Sequence, residues 1–486
     1  MKRFMHILQV NTHDIVGGAG YFAYNLHQKL LAKGYPAWLI VGFKWSADPT
    51  VVSVPYNAKN FWRSFWFFVG DFLIPLVGKV RGTDRVIQLL RLIGEPKKLL
   101  ESLQGHENFE FPETWRIFDL IPNKPDIVHL HNLHGNYFDL RALPWLSQQT
   151  LTVLTMHDAW LLSGHCAHSF DCERWKTGCG KCPNLTIYQE IKHDGSAYNW
   201  RRKKDIYNRS RLYLATPSRW LMEKVEQSIL CPAILESRVI PNGVDLKVFR
   251  PSDMQSARSA LGIPQNIIVL LLGYNALRKN TFKDSLTMTE AIAELSIRFV
   301  GQKVLFIAMG ENAPSEHIGN IEIQFAPHQK DPMVVAAYYQ AADIYIHNAK
   351  ADTFPTAILE ALSCGTPVVA TSIGGIPEQV RSLRNLAIEN ERKLGNKVPY
   401  GFSDYSVEEA TGILVPAGDV SALAGAIEGL VKNEALRKQL GVNAAIDACY
   451  RFDFERCAND YITWYREIIE FNTKVIPPTR VGKVLP

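Results

Sequence analysis

The sequence predicts an α/β protein made of two successive parallel-sheet halves, and three observations carry that prediction. The chain opens as strand, glycine turn, helix and strand, the same order restarts after Pro241-Asn242-Gly243, and 486 residues suit two or three domains. Both halves are then Rossmann-like, and their ligands are expected beyond the carboxyl ends of the strands.

In the first half, Phe4–Val10 is a short apolar run that reads as a strand, followed by the turn Gly17-Gly18-Ala19-Gly20. Tyr21–Ala32 places Phe22, Leu26, Leu30 and Leu31 at helical spacing, and Gly34 ends it. Ala37–Phe43 is a second buried strand; Asp126–Leu130, Leu151–Met156, Tyr213–Ala215 and Arg238–Ile240 continue the series. In the second half, Ile267–Gly273, Lys303–Ala308, Asp343–His347 and Pro367–Ala370 read as strands, with helices over Phe282–Leu295 and Thr356–Ser363. The expected divisions are 1–242 and 243–448, then 449–472 as a crossover helix returning to the first domain, and a tail, 473–486. The first domain carries an insertion over about 45–124, too long for a βα connection, and a cysteine-rich loop, 163–184.

Composition narrows the function classes. Hydrophobic residues at 47% and charged ones at 21% exclude a disordered chain. Lysine plus arginine, 53, exceed aspartate plus glutamate, 48, by too little for a nucleic-acid binder. No apolar run approaches the roughly 18 residues of a membrane span. The start, MKRFMHILQVNTHD, has too short an apolar stretch for a secretory signal. Eight cysteines without export then point to a reducing, cytoplasmic compartment.

Gly18-x-Gly20-x-x-Ala23 matches the dinucleotide fingerprint in form, but Val41-Gly42-Phe43-Lys44 supplies no acid for a ribose, which argues against a nicotinamide enzyme. The turn still offers bare N–H groups at a helix start, or is a tight turn and nothing more. The sharper motif is Ala351-Asp352-Thr353-Phe354-Pro355-Thr356-Ala357-Ile358-Leu359-Glu360. Pro355 is expected at the first helical position, leaving the amides of Thr356 and Ala357 free for a diphosphate. Asp352 can accept from sugar hydroxyls and Glu360 from the paired hydroxyls of a ribose; a plain cap and a solvated face are the alternatives.

This passage resembles the acidic-x7-Glu signature of the retaining glycosyltransferases of family 4, which have two facing Rossmann-like domains (the GT-B fold). Gly17-Gly18-Ala19-Gly20, Asp126–His131, Thr155-Met156-His157-Asp158, Thr216-Pro217-Ser218, Pro241–Asp245 and Gly374–Glu378 fall in the same order. The resemblance implies transfer of a sugar from a nucleotide donor to the hydroxyl of a sugar or lipid-linked saccharide, with retained configuration and no metal cofactor. It makes 1–242 the acceptor domain and 243–448 the donor domain, in surface-polysaccharide or glycoconjugate assembly. It assigns catalytic roles to His157, Asp352 and Lys279, and donor binding to Gly17, Gly18, Arg278, Lys279, Phe354, Thr356, Ala357 and Glu360. Tyr274 stands where similar enzymes carry an arginine, with Arg278 the substitute, and Asp352 replaces a glutamate one methylene longer.

Cys166, Cys172, Cys179 and Cys182 place four thiols in 17 residues. The closing C-x2-C suits a structural zinc ion, with unliganded thiols, disulfides or an iron–sulfur cluster as the alternatives. A subset of similar transferases carries such a loop. In the insertion, Phe61–Gly82 combines Trp62, Trp66 and other large apolar residues with Lys59, Arg63, Lys79 and Arg81, which reads as a peripheral contact with the inner face of a membrane or as a pair of buried helices. Arg201-Arg202-Lys203-Lys204 is either an aid to anionic lipid or a solvated helix face. The rival functions are a nucleotide-sugar epimerase on the same plan and a sugar-nucleotide-binding scaffold without turnover.

Overall fold

The computed structural model describes residues 5–55, 61–77, 79–80, 82–273, 280–383 and 404–475, with Arg63 and Val475 described by backbone alone. The chain divides into two compact units: 1–215 with 223–238 and 462–486, and 216–222 with 239–461.

The sheet of the first unit is built from β1 (Ile7–His13), β2 (Ala37–Phe43), β3 (Val51–Ser53), β4 (Ile127–Leu130), β5 (Leu151–Thr155), β6 (Leu212–Thr216) and β7 (Ile234–Val239), in the order β3-β2-β1-β4-β5-β6-β7. Its register is parallel, with Ile7 opposite both Ala37 and Ile127. β3 was not expected; it pairs with β2, so the insertion begins after the sheet has gained one more strand. The strand order reverses direction between β1 and β4, which makes their carboxyl ends the crevice of this unit. Helix α1 (Gly17–Ala32) leaves β1 at that point. It starts four residues before the expected Tyr21 because Gly17 takes a left-handed φ of 71° and the turn winds directly into helix.

In the second unit the strands are β8 (Ile268–Leu272), β9 (Val304–Met309), β10 (Glu316–Ile318), β11 (Ile321–Ala326), β12 (Ile344–His347), β13 (Val368–Thr371), β14 (Ser382–Leu383), β15 (Asp404–Tyr405) and β16 (Gly412–Val415). Their order is β10-β11-β9-β8-β12-β13-β16-β14-β15, with β10 antiparallel to β11. The sheet is buried on both faces. Val304, Phe306 and Ala308 of β9 join one core cluster, while Leu305, Ile307 and Met309 join the other. Continuous apolar runs such as IVLLL and VLFIAM are what a doubly covered parallel strand requires. Here the order reverses between β8 and β12, so Gly273 and His347 stand at the crevice.

The C-terminal helix, Phe454–Val475, starts five residues and ends three residues after the expected 449–472, and from Ile462 onward it counts with the first unit. There Tyr465 Oη lies 2.5 Å from Nδ1 of His129, and Trp464 donates to Glu236 over 2.9 Å.

Candidate functional site

In the second unit, the loop after β12 delivers Asp352, and the helix Thr356–Ser363 follows. Pro355 occupies the position before that helix rather than its first turn, with an extended ψ of 123° and no side-chain cap. Thr356 and Ala357 are therefore the first helical residues, and their N–H groups have no helical carbonyl behind them. Phe354, expected to line the donor site, is a core residue instead: it is buried and packs edge-on against Phe452 at 6.0 Å. An aromatic two residues before the helix has nowhere to turn but inward, because the next loop closes over the outside. That closing loop is Gly374-Gly375. A Cβ on Gly374 would stand 1.8 Å from the Asp352 carbonyl oxygen, and one on Gly375 would stand 2.0 Å from that of Thr353. Glu378, after this turn, accepts from the amides of Arg219 and Trp220 at 2.7 and 2.8 Å.

The electrostatics of the loop come from four groups that sequence reasoning missed. Lys283 Nζ donates to Nε2 of His347 at 2.9 Å and lies 3.4 Å from the Asp352 carboxylate. Burial alone would raise Asp352, but the Lys283 charge leads the effects that outweigh it and hold the carboxyl at about 2. Burial, followed by the Lys283 charge, lowers His347 to about 4, so its ring is neutral. A lysine ammonium only donates, so Nε2 accepts and Nδ1 keeps the proton, directed at Tyr345 Oη 2.9 Å away. A Cβ at Gly273 would stand 2.8 Å from that hydroxyl, which keeps position 273 small. The Tyr345 ring meets that of Tyr339 edge-on at 5.3 Å, and Tyr339 donates to Glu360 Oε2 at 3.0 Å. Burial pushes Glu360 up to about 7, with the Tyr339 hydroxyl acting against it. Lys283, His347, Tyr345 and Tyr339 thus form one chain of contacts from Asp352 to Glu360, hydrogen-bonded except where the two tyrosine rings meet. The one sequence signal was position: His347 ends a strand at the reversal of strand order. Arg278 and Lys279 lie outside the described residues.

In the first unit, Gly17 and Gly18 are exposed at the open start of α1, and no atom lies within 4 Å of a Cβ built on either. His157 Nε2 is 3.2 Å from Nδ1 of His131, and its ring meets the edge of Phe22 at 5.1 Å. Burial lowers His157 to about 4, so it offers a neutral imidazole. Asp158 accepts from His134 at 2.8 Å and from the Trp160 amide at 2.9 Å. His134 and Trp160 line a cavity of about 610 Å³, together with Lys98, His106, Asn136 and Lys192 among others. That volume suits a saccharide and mixes polar and aromatic walls. Sequence reasoning missed it, because its walls come from the insertion, the loop after β4, Trp160 and the segment 185–192 that follows the cysteine-rich loop.

Lys203 corrects the reading of the basic tetrad. It is fully buried, donating to Glu107 and to the carbonyls of Trp160 and Ser163 at 3.0–3.1 Å, while Arg202 stacks over Phe109 at 4.0 Å. Cys166, Cys172, Cys179 and Cys182 are all free and line a cavity of about 20 Å³. Gly164 N–H donates to Cys179 Sγ at 3.3 Å, and burial raises that thiol to about 12. Among the described residues, no three His, Cys, Asp or Glu side chains form a group able to hold a metal ion, so the zinc expectation rests on spacing alone.

Comparison with known proteins places both units. Residues 16–248 match the model of Glycosyltransferase Family 4, and residues 276–433 match that of the Glycosyl transferases group 1. A putative colanic acid biosynthesis glycosyl transferase, WcaC, from Escherichia coli K12 is 25% identical over 80% of this chain and 89% of its own length. A D-inositol 3-phosphate glycosyltransferase from Mycobacterium marinum is 29% identical, over 48% of this chain and 45% of that protein, so the chain spans under half of that relative. Two solved structures share the fold: sucrose-phosphate synthase from Thermosynechococcus elongatus and HepE from Anabaena in complex with UDP-glucose. The first has a TM-score of 0.57 at 17% identity, covering 96% of this chain and 100% of that one. The second has a TM-score of 0.54 at 15% identity, covering 97% and 100%.

Proposed function

The chain belongs to the group 1 and family 4 glycosyltransferases, and from that premise we propose that it moves a hexose from a nucleoside-diphosphate donor to a saccharide hydroxyl with retained configuration. The observation that carries this reading is the charged arrangement around the helix Thr356–Ser363. An ionised Asp352 stands before the helix, two free amides open it, and Glu360 lies a turn inside. The amides and the helix dipole suit the diphosphate, whose negative charge grows as the bond to the sugar breaks. Asp352 accepts from sugar hydroxyls, and Glu360 accepts from the two ribose hydroxyls. The positive charge is supplied by Lys283 and the helix start, which supports a reaction that runs without a metal ion. Retention needs no carboxylate nucleophile on this reading; the departing phosphate takes the acceptor proton on the same face.

The 610 Å³ cavity of the first unit is the acceptor site in this proposal, and WcaC points to surface-polysaccharide or other glycoconjugate assembly. No helix of the described residues is long and apolar enough to cross a membrane, and we place the enzyme at the cytoplasmic face as a peripheral protein. The test is a thermal-shift screen against nucleotide sugars, followed by proton NMR of the product's anomeric centre with and without a chelator. A raised melting point with one donor, and an unchanged anomer in the product, are expected. An inverted anomer, chelator-sensitive turnover, or conversion of donor with no acceptor present would each overturn the proposal.

A further inference from the structure

The insertion after β3 folds into three helices that leave their apolar faces uncovered. These are α2 (Phe61–Phe72), α3 (Thr83–Gly94) and α4 (Pro96–Leu103). α2 and α3 pack chiefly on each other. Their seam is small: a Cβ on Gly70 would touch Ile87, and one on Gly94 would press on Trp66 and Phe67 at 3.2–3.3 Å. Trp62 Nε1 donates to the Ile93 carbonyl at 3.0 Å, and Arg91 pairs with Asp71 at 2.9 Å. These ties consume the inner faces of the hairpin.

The outer faces are apolar and open to solvent. Phe61, Phe65, Phe68 and Phe72 stand at i, i+4, i+7 and i+11 of α2, one stripe of four aromatic rings. Phe61, Phe68 and Phe72 are 85%, 70% and 77% exposed. Val86, Leu89 and Ile93 form a second stripe on α3, and Leu100 and Leu103 a third on α4, all exposed. A soluble surface rarely leaves so many large apolar side chains together without a partner.

The charge around these stripes selects the partner. Residues 61–103 carry seven lysines and arginines against four aspartates and glutamates, so this stretch alone holds three of the chain's five surplus positive charges. Short helices with aromatic outer faces and basic flanks lie in the plane of a bilayer interface, where rings enter the acyl boundary and cations meet anionic headgroups. We infer that α2, α3 and α4 form an in-plane docking surface for an anionic lipid bilayer. α4 has two sides: Leu100 and Leu103 face outward, while Lys98 and Ser102 line the 610 Å³ cavity. Docking therefore sets the mouth of that cavity beside the membrane, where an acceptor carried on a lipid would enter. The docking itself stands without the transfer reading; the lipid-borne acceptor rests on it.

The test is sedimentation of the full chain with vesicles of phosphatidylcholine alone or with about a third phosphatidylglycerol, in the absence of donor and acceptor. Binding to the anionic vesicles is expected, with at least a tenfold loss for the Phe61/Phe65/Phe68/Phe72→Ser variant. A similar loss is expected for Lys79/Arg85/Lys97→Glu, and from raising the salt in wild type. All seven side chains are exposed, so the melting point of both variants should stay at the wild-type value. Unchanged vesicle binding by the phenylalanine variant would overturn the inference. So would a wild-type oligomer, seen by light scattering, that this variant converts to monomer, because the face would then cover a second copy.

Discussion

Lys283 donates to the ring of His347 over 2.9 Å, and the same ammonium stands 3.4 Å from the Asp352 carboxylate. A neutral histidine and an ionised aspartate thus share one cation at the loop where the donor is expected. Replacing Lys283 with Met removes the charge that keeps Asp352 ionised while leaving the stem of the side chain. We expect kcat/KM to fall about a hundredfold, roughly 2.7 kcal/mol of transition-state stabilisation. Lys283→Arg should recover part of the loss. Wild-type kcat/KM in the Met variant would remove Lys283 from the site.

Glu360 sets a pH dependence whose sign is fixed by burial. Its carboxyl is held up at about 7, whereas ribose hydroxyls favour the ionised form. Donor binding therefore releases a proton, and affinity rises with pH until the free carboxyl is fully ionised. Between pH 8 and pH 6 the donor Kd should weaken by about tenfold. The neighbours do not mask this, since Asp352 at about 2 and His347 at about 4 keep one charge state through that range. Glu360→Gln should bind weakly and flatten the profile. Tyr339→Phe removes the hydroxyl that favours the ionised form and should move the midpoint to higher pH. Titration calorimetry of a non-hydrolysable donor checks both, and an equally steep profile in the Gln variant would contradict the assignment.

The parts legible in the sequence were those that periodicity or helix-start chemistry writes locally. The strands Ala37–Phe43 and Asp343–His347 and the helix Thr356–Ser363 show themselves as apolar runs and 3.6-residue spacing, and they are found at or within one residue of those bounds. Asp352 and Glu360 were legible because eight residues around a helix start is a local pattern. Lys283, His347, Tyr345 and Tyr339 were not, since their chain of contacts joins three segments that only the sheet brings together. The environment of Phe354 was equally hidden: one residue's turn decides between cavity and core, and the packing of Phe452 decides that turn. Lys203 looked like one of four surface cations, yet Glu107, 96 residues away, draws it inside.

Gly374 is a second place where backbone approach dictates residue type. Its φ of 55° and the 1.8 Å that would separate a Cβ from the Asp352 carbonyl both forbid a side chain. Gly374→Ala should cost about 1–3 kcal/mol from backbone strain alone. It should also displace the Asp352 loop, so that donor affinity falls along with the melting point. The contrasting change is Gly425→Ala in the helix Val420–Lys432, where a Cβ meets nothing within 4 Å. There the gain in helix propensity should stabilise by roughly 0.5–1 kcal/mol with donor affinity intact. Denaturant unfolding and donor titration separate the two, and a neutral Gly374→Ala would refute the close packing of this turn.

The buried pair Lys203–Glu107 makes the sharpest stability prediction, because its cation spends three hydrogen bonds on one corner of the first unit. Nζ holds the Glu107 carboxylate and the carbonyls of Trp160 and Ser163, and sits 3.8 Å over the Trp160 ring. Lys203→Met would leave Glu107 buried without its charge partner and should destabilise by about 3–5 kcal/mol. Replacing both residues, as Lys203→Met with Glu107→Leu, removes the unpaired charge and should restore most of that loss. Trp160 donates to Glu107 at 2.6 Å, so the double variant keeps one orphaned indole N–H and falls short of full recovery. Since Glu107 and Trp160 also line the 610 Å³ cavity, the double variant should show a raised KM for acceptor while its donor Kd holds. A double variant no more stable than Lys203→Met would mean that the carbonyl contacts, not the ion pair, carry the corner.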